Sequence, residues 1–547
     1  LEYARSVVSG SIPACRWTRL ACQRFLSDTD RTDWPYHFVP EKAERACKFA
    51  ELFPHVKGHW AIPDPRAPEK VKIHLEPWQC FVRANIHGFR EKDTGFRRFR
   101  KAYVEVPRKN GKSVLGAVEG LDALTEGEPG AEVYSGATTE KQAWEVFRPA
   151  KLMAQRSPEF LSHFGITVNA SNLVRLDTGD RFEVLIGNPG DGASPSLAIV
   201  DEYHEHPDAR LYDTMVTGMG ARRQPLVLVI TTAGSDISGP CYAMHEDVQK
   251  MLDGTNPDDR LFGVIWSIDE GDDWAAEESL RKANPNYGVS VSESFLKEKQ
   301  AEAVASSRHQ NVFKTKHLNV WVTARAAWMN MEWWHRQADR SLRPERFADC
   351  PCFAGGDLAS KLDIASIVRV FRQMVDDVPH YYAFGRHYLP ESTVNDPRNT
   401  RYLPWAHDGW LTVTDGDMTD YSRIRDDLLE DARAHGIEQA AFDPWASQEM
   451  IQELTREGIT AIELQQNVKN LSDPMKSLEA LVKSGQFHHN GDPVLAWAMS
   501  NVTVKEDAND NIFPRKERPE NKIDPASALI NAMSRAILIP EEASWLL

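Results

Sequence analysis

Residues 104–113 read VEVPRKNGKS: a short apolar run, a polar turn, then Gly-Lys-Ser at the head of a helical segment. A strand that ends in a turn and opens a helix brings free backbone N–H groups and the positive end of a helix to one point, as a phosphate requires. The pattern GxxxxGK[ST] is met at Gly111, Lys112 and Ser113 but not at its first position, where Val106 replaces glycine. With Val104 to Val106 as strand and Ser113 to Leu124 as helix, Arg108, Lys109, Asn110 and Gly111 line the phosphates of ATP. Lys112 reaches the β- and γ-phosphates, and Ser113 ligates Mg2+. A chance basic turn would read the same, so the flanking sequence has to decide.

Downstream, SLAIVDEYHEH ends an apolar strand in Asp201 and Glu202, at the sheet edge where α/β proteins bind ligands. Asp201 suits a ligand for the hydrated Mg2+, and Glu202 a group that polarises the attacking water; both could also simply end a strand in solvent. LVLVITTAGSD ends in Thr231, Thr232, Ala233 and Gly234, small residues placed to sense the γ-phosphate. Upstream, Gln79 in EPWQ carries an amide able to pair with both edges of adenine. Between about 70 and 235, β-like runs alternate with helical segments, which predicts a parallel sheet with crossover helices. Residues 240 to 335 read as mostly helical and charged.

A second α/β pattern begins near residue 350. CFAGGDLAS delivers Asp357 at a strand end, and IEQAAFDPWAS delivers Asp443 in the same way. NKIDPASALINAMSRAIL sets Asp524 at a helix start. Three such carboxylates could converge on a pair of Mg2+ or Mn2+ ions, the hard cations that activate water against a phosphodiester. Asp524-Pro525 also makes a good helix cap, and Asp363 reads as a turn residue. NVTVKEDANDNIFPRKERPENK reads as a hairpin whose arm carries Arg515, Lys516 and Arg518, a guide for a DNA backbone or an ordinary solvated surface.

Composition bounds the rest. The 547 residues hold 64 Lys and Arg against 80 Asp and Glu, a formal net charge of −16, so no global basic field advertises a polyanion partner. One local run does: from Arg83 to Lys112 ten basic residues face three acidic ones, net +7, either a DNA-facing patch or a solvated face. Seven cysteines without a CxxC pair indicate neither a disulfide framework nor a zinc site. No apolar run approaches membrane-spanning length and the first residues carry no signal core, so neither insertion nor secretion is expected. The opening Leu1 suggests that the natural N-terminus has been lost.

The ordered set VPRKNGKS, LAIVDE, TTAG, GGDLAS, FDPWAS and KIDPASAL resembles the large terminase subunits of tailed double-stranded DNA phages, over roughly residues 70 to 540. Phosphate loops without the first glycine are usual there, which makes Val106 compatible with a working Walker A loop. The resemblance implies an α/β chain in four parts. These are a helical leader at 1–65, an ASCE-type P-loop ATPase with a parallel sheet at 66–325, a linker at 326–350 and an RNase H-like α/β nuclease at 351–547. It implies a viral DNA-packaging motor: ATP hydrolysis, with Glu202 as base and Thr231, Thr232 and Gly234 as coupling residues, drives double-stranded DNA into the procapsid. A metal-dependent endonuclease built on Asp357, Asp443 and Asp524 cuts concatemeric DNA. The implied partners are double-stranded DNA, the portal protein and a small terminase subunit. The implied assembly is a homo-oligomeric ring, taken as a pentamer, in the host cytoplasm at the portal vertex, with a monomer as the isolated state. An arginine finger belongs to such rings, with Arg108, Arg210, Arg222 and Arg223 as candidates. The carboxylates alone leave open an RNase H-like transposase or integrase with a regulatory ATPase, and a nucleotide-binding adaptor that does not hydrolyse; Glu202 argues against the adaptor.

Overall fold

The computed structural model describes residues 1–62, 71–186, 192–322, 328–358, 363–396, 401–444, 447–507, 510–517 and 520–538. The chain divides into two compact units, Leu1–Val322 and Thr323–Leu547. Among the described residues no helix is long and apolar enough to cross a membrane.

The first unit is built on an eight-stranded sheet. In chain order its strands are β1 (Lys101–Glu105), β2 (Glu132–Ala137), β3 (Ile166–Val168), β4 (Asn172–Arg175), β5 (Asp180–Ile186), β6 (Leu197–Asp201), β7 (Leu226–Thr231) and β8 (Leu261–Ile265), lying in the order β8-β1-β7-β6-β2-β5-β4-β3. From β8 to β5 neighbours run parallel, and β4 and β3 add an antiparallel edge. The central strands are buried at every position, and apolar up to their last residues, because helices cover both faces of a parallel sheet. Helix α1 (Pro77–Gly88) starts in a reciprocal cap between Glu76 and Gln79, and α2 (Lys112–Glu126) follows the 106–111 loop directly.

Three expectations change here. Residues 1–62 do not form a separate leader: Phe25 packs edge-on against Phe81 and Phe89, and Thr18 Oγ1 donates to Ile265 O at 2.6 Å. These helices share one core with the sheet and cap its outer strand. That strand, β8, lies in a stretch that reads as helical and charged. The basic run is not one continuous exposed patch either. Arg83 and Arg98 are fully buried, the first paired with Glu119 and Asp122, the second with Asp28 and stacked on Trp34. Burial without paired acids is so costly that each guanidinium carries its own carboxylates with it.

The second unit holds a seven-stranded sheet. Its strands are β9 (Cys352–Asp357), β10 (Ala365–Val375), β11 (Val378–Pro390), β12 (Thr412–Thr414), β13 (Ile437–Phe442), β14 (Thr460–Glu463) and β15 (Phe487–His489). The order is β12-β11-β10-β9-β13-β14, with β15 beside β11. Strands β9, β10 and β11 form an antiparallel meander, and β13 and β14 join β9 in parallel, the order of an RNase H-like sheet. Helix α3 (Asp524–Ala536) lies on β9 so closely that a Cβ at Gly355 would collide with the backbone of Ala528 and Ala532. Glycine at 355 is therefore a packing requirement of the site. The expected 326–350 linker is absorbed by this unit: Trp328 and Trp334 are buried in its core.

Candidate active sites

The first site forms at the C-terminal edge of the parallel sheet. Val106, just past β1, is fully buried and its N–H donates to Thr231 O at 3.1 Å, so the chain keeps its hydrogen bond to β7 where the pattern has its first glycine. The left-handed turns come later, at Lys109 (φ 72) and Gly111 (φ 92). For lysine that conformation costs about 1–2 kcal/mol, and the surroundings hold it there. Asn286 N donates to Asn110 Oδ1 at 3.0 Å, Asn110 Nδ2 donates to Asn284 Oδ1 at 3.0 Å, and Ser290 Oγ donates to Lys109 O at 2.7 Å. Arg108 N donates to Lys316 O at 3.0 Å. The loop is thus clamped by residues nearly two hundred positions away, which motif reading does not reach.

Lys112 is buried beneath this loop and donates to Val106 O at 3.3 Å and to Thr232 Oγ1. Glu202 Oε1 lies 3.9 Å from its Nζ. Burial pulls the lysine's pKa down, against the charges of Glu202 and Asp201. Asp201 is pushed up to about 7, first by burial and then by Glu202. Glu202 moves the other way: burial would raise it, but Lys112, His204 and Lys316 hold it below the ordinary carboxylate range. Two adjacent carboxylates thus differ in role, Asp201 wanting a cation and Glu202 kept ionised by cations the chain supplies. Glu202 has left-handed backbone (φ 48), and its buried Oε2 has no hydrogen-bond partner. Sparsely populated backbone of this kind concentrates at working sites.

Ser113 is half-buried in the first turn of α2, and Thr231 and Thr232 are fully buried at the end of β7. Gly234 packs against His204 and Trp321, where a Cβ would stand 3.1 Å from each. Gln79 borders Gly111, but its Oε1 already accepts from Glu76 N at 2.9 Å, so two-edged pairing with adenine would require that cap to open. Of the candidate arginines, Arg222 is pinned to Ser194 O and Gly130 O, both at 2.8 Å, and it and Arg223 precede β7 at the opposite edge of the sheet from the loop. Arg108 and Arg210 are exposed.

The second site gathers acids. Gly356 pairs with Phe442 in register, which sets Asp357, the last residue of β9, beside Asp443, the first residue after β13. The close seat of α3 brings Asp524 to the same place. Burial, then Asp524 and Asp443, raise the pKa of Asp357 well above the ordinary value, against a hydrogen bond from Ser527. Asp524 is pushed up to about 6, first by burial and then by Asp363, and its buried Oδ2 has no hydrogen-bond partner. Asp363, read as a turn residue, belongs to this cluster. Lys522 Nζ donates to it at 2.5 Å and Lys516 lies 3.8 Å away. The hairpin Val502–Glu506 and Ile512–Lys516 therefore does bring a basic arm to the site, while Arg518 lies outside the described residues, as do Ala359, Ser360, Trp445 and Ala446 of the two aspartate motifs. Acids crowded round the buried Asp357, with a partnerless oxygen on Asp524 among them, fit a hard divalent cation. His87, Glu119 and Asp122 of the first unit also lie within 4.8 Å of one another, but the Arg83 guanidinium already fills that cluster.

Comparison with known proteins matches residues 77–250 to the model of the terminase large subunit ATPase domain and 255–539 to that of the terminase large subunit endonuclease domain. Protein YmfN of Escherichia coli (strain K12) is 46% identical over 388 residues, covering 69% of this chain and 85% of that protein. The large terminase subunit of Enterobacteria phage HK97 is 26% identical over 446 residues, 80% and 86% of the two chains. The crystal structure of the HK97 large terminase aligns over 90% of this chain and 99% of its own, at 24% identity and a TM-score of 0.44.

Proposed function

The chain belongs to the terminase large subunit family, an ATP-hydrolysing phage DNA-packaging motor with a DNA endonuclease, and from that premise we propose how its residues divide the work. The comparisons lend no support to a transposase or integrase. As a member of this family the protein acts on DNA together with packaging machinery, and uses nucleotide and divalent metal.

In the first unit, the N–H groups of 108–113 and Lys112 hold the β- and γ-phosphates of ATP, with Ser113 and Asp201 on its Mg2+. Glu202 takes the proton of the attacking water, and the segment from Thr231 to Gly234 passes the loss of the γ-phosphate to the DNA-moving parts. The observation that carries this reading is the placing of Glu202 Oε1 3.9 Å from the buried Lys112, which favours its ionised form while burial and Glu202 favour the protonated form of Asp201. A general base has to be ionised when water arrives.

In the second unit, Asp357, Asp443 and Asp524, joined by Asp363, hold the nuclease metal, Mg2+ or Mn2+. The metal supplies Lewis-acid activation of water and stabilises the leaving oxygen of the phosphodiester. Lys516, from the hairpin arm, stands where it can meet a DNA phosphate. The partners we assign are the portal protein and a small terminase subunit. The working form is a homo-oligomeric ring, taken as a pentamer, at the portal vertex in the host cytoplasm, and the isolated chain a monomer. In that ring Arg108 or Arg210, the exposed candidates at the loop's edge of the sheet, would be the arginine finger.

The test is nicking of supercoiled plasmid with Mg2+ or Mn2+, beside DNA-stimulated ATP turnover, for the wild-type chain, Asp357→Asn, Asp443→Asn and Glu202→Gln. Metal-dependent nicking lost in both aspartate variants with ATP turnover kept, and turnover lost in Glu202→Gln with nicking kept, supports the assignment. Unchanged nicking in the aspartate variants would sink the second site.

A further inference from the structure

His204 follows Glu202 by two residues and is almost wholly buried, at 4% exposure. Neither the phosphate loop nor the metal ligands account for it, yet it stands against Glu202, Lys316 and the Thr231–Gly234 strand end. Its backbone N–H donates to Thr231 Oγ1 at 3.1 Å, its Nδ1 lies 3.1 Å from that oxygen and 3.2 Å from Glu202 Oε2, and its Nε2 faces Lys316 Nζ at 2.9 Å and Glu205 Oε1 at 3.3 Å.

The partners fix the tautomer. Two groups face Nε2, Lys316 Nζ at 2.9 Å and Glu205 Oε1 at 3.3 Å; the nearer is an ammonium that only donates, so Nε2 presents its lone pair to it and the ring proton sits on Nδ1. Burial lowers the imidazole's pKa, opposed by Glu205 and Glu202 and aided by Lys316, so the ring is neutral. Thr231 is already engaged: its hydroxyl donates to Thr232 O at 3.1 Å and accepts from His204 N and from Cys241 Sγ. Nδ1 thus stands 3.1 Å from a hydroxyl whose positions are otherwise occupied and 3.2 Å from Glu202 Oε2, a buried oxygen that has no hydrogen-bond partner in this arrangement, so a small turn of the ring or carboxylate gives that oxygen its donor. The other oxygen of that carboxylate faces Lys112.

We propose that His204 is a positioning residue for ATP hydrolysis, donating from Nδ1 to Glu202 and thereby tying the direction of that carboxylate to the Thr231–Gly234 strand end. The inference rests on the reading of Glu202 as the base. Gly234 carries the mechanical half: its missing side chain lets His204 and Trp321 close on it, so a shift of this strand end moves the imidazole and, with it, Glu202. Lys316 joins the same device to the phosphate loop, since its carbonyl accepts from Arg108 N.

The experiment compares His204→Asn and His204→Gln in the full chain with linear double-stranded DNA. The Asn amide reaches the place of Nδ1 and keeps a donor to Glu202; the Gln amide fills similar volume near Nε2 and loses it. Expected is a fall in kcat of about 30- to 100-fold in His204→Gln with less than about a twofold change in the KM for ATP, and a kcat within about fivefold of wild type in His204→Asn. In a Glu202→Gln background, single-turnover hydrolysis should fall by no more than about twofold on adding His204→Gln, because the group it positions is gone. Equal loss in both His204 variants, the full loss repeated in the Glu202→Gln background, or wild-type kcat in His204→Gln overturns the inference. Persistent turnover in Glu202→Gln alone would instead overturn the assignment of the base.

Discussion

In the first unit every acid of the site faces a cation of the chain itself: Glu202 has Lys112 and Lys316 near it, and Asp201 has Lys112. In the second, Asp357 and Asp524 are raised by burial and by other acids; the nearby lysines, 516 and 522, sit on Asp363 and draw Asp524 down only in part, so its net shift stays upward. A site that turns over a nucleotide has to keep its base ionised between substrates, and fixed lysines do this. A site that cuts only when metal is present leaves its acids repelling one another until metal arrives. Substitutions should separate the two.

The largest effect expected is reciprocal. Lys112→Ala should lower ATP turnover by at least about a hundredfold, the loss typical of a preorganised electrostatic group, and leave nicking of relaxed or supercoiled plasmid unchanged. Gly355→Ala should do the reverse, since a methyl group there lifts α3 off β9 and with it Asp524. If Gly355→Ala nicks normally, the close seat of α3 does not position the nuclease acids.

Next in size is the response to metal. Saturating Mg2+ at a hundred times its dissociation constant adds about 2.7 kcal/mol to a unit that binds it only when folded, roughly 5–10 °C for a unit of this size. Calorimetry should show one transition moving by that much in wild type and not in Asp357→Asn. The same variant should raise the metal-free transition, because it removes one of the repelling charges. A metal-free transition that falls in Asp357→Asn would mean that its carboxylate is stabilising as it stands, and the contrast between the sites would fail.

How much of this was open to sequence reading follows from how far each contact reaches along the chain. Strand ends announce themselves locally, so the positions of Asp201, Asp357 and Asp443 were legible from apolar runs that stop at an acid. The fate of the arginines was not: Arg83 and Arg98 look like surface charge until Glu119, Asp122 and Asp28 are seen beside them. Asp363 reads as a turn because its partners, Asp524 and Lys522, lie about 160 residues away. The leader and linker were drawn as separate parts because composition marks a change of style, not a change of core. His204 alone was close at hand, inside DEYHEH, but a buried histidine declares its role only through Thr231 and Lys316.

A smaller effect follows from pH. The folded-state pKa of Asp524, about 6, lies above the ordinary value of 3.8, so the folded second unit holds a proton that the unfolded chain releases. Without metal its stability should be greatest below about pH 4 and fall as pH rises towards 6, by at most about 3 kcal/mol from this group. Asp357, shifted in the same direction, adds to the slope. Denaturant melts at pH 5 and pH 7 check it: Asp524→Asn should flatten the fall. An increase in stability across that window would reverse the sign and contradict the crowding of acids.

The smallest effect concerns the loop itself. Val106 occupies the position of the missing glycine but is fully buried and paired to Thr231, so Val106→Gly should cost about 2–3 kcal/mol in lost burial and added chain freedom. It should also leave ATP affinity no better. The strain that a first glycine would relieve sits instead at Lys109. Lys109→Gly should therefore stabilise the first unit by up to about 1 kcal/mol, the left-handed penalty less the extra freedom of glycine in the unfolded chain. Lys109→Ala keeps the penalty and serves as the control for the lost charge. A gain in both variants would assign the effect to charge. A gain in Lys109→Gly alone, with kcat unchanged, would show that the Asn284–Ser290 clamp, rather than the glycine pattern, shapes this phosphate loop.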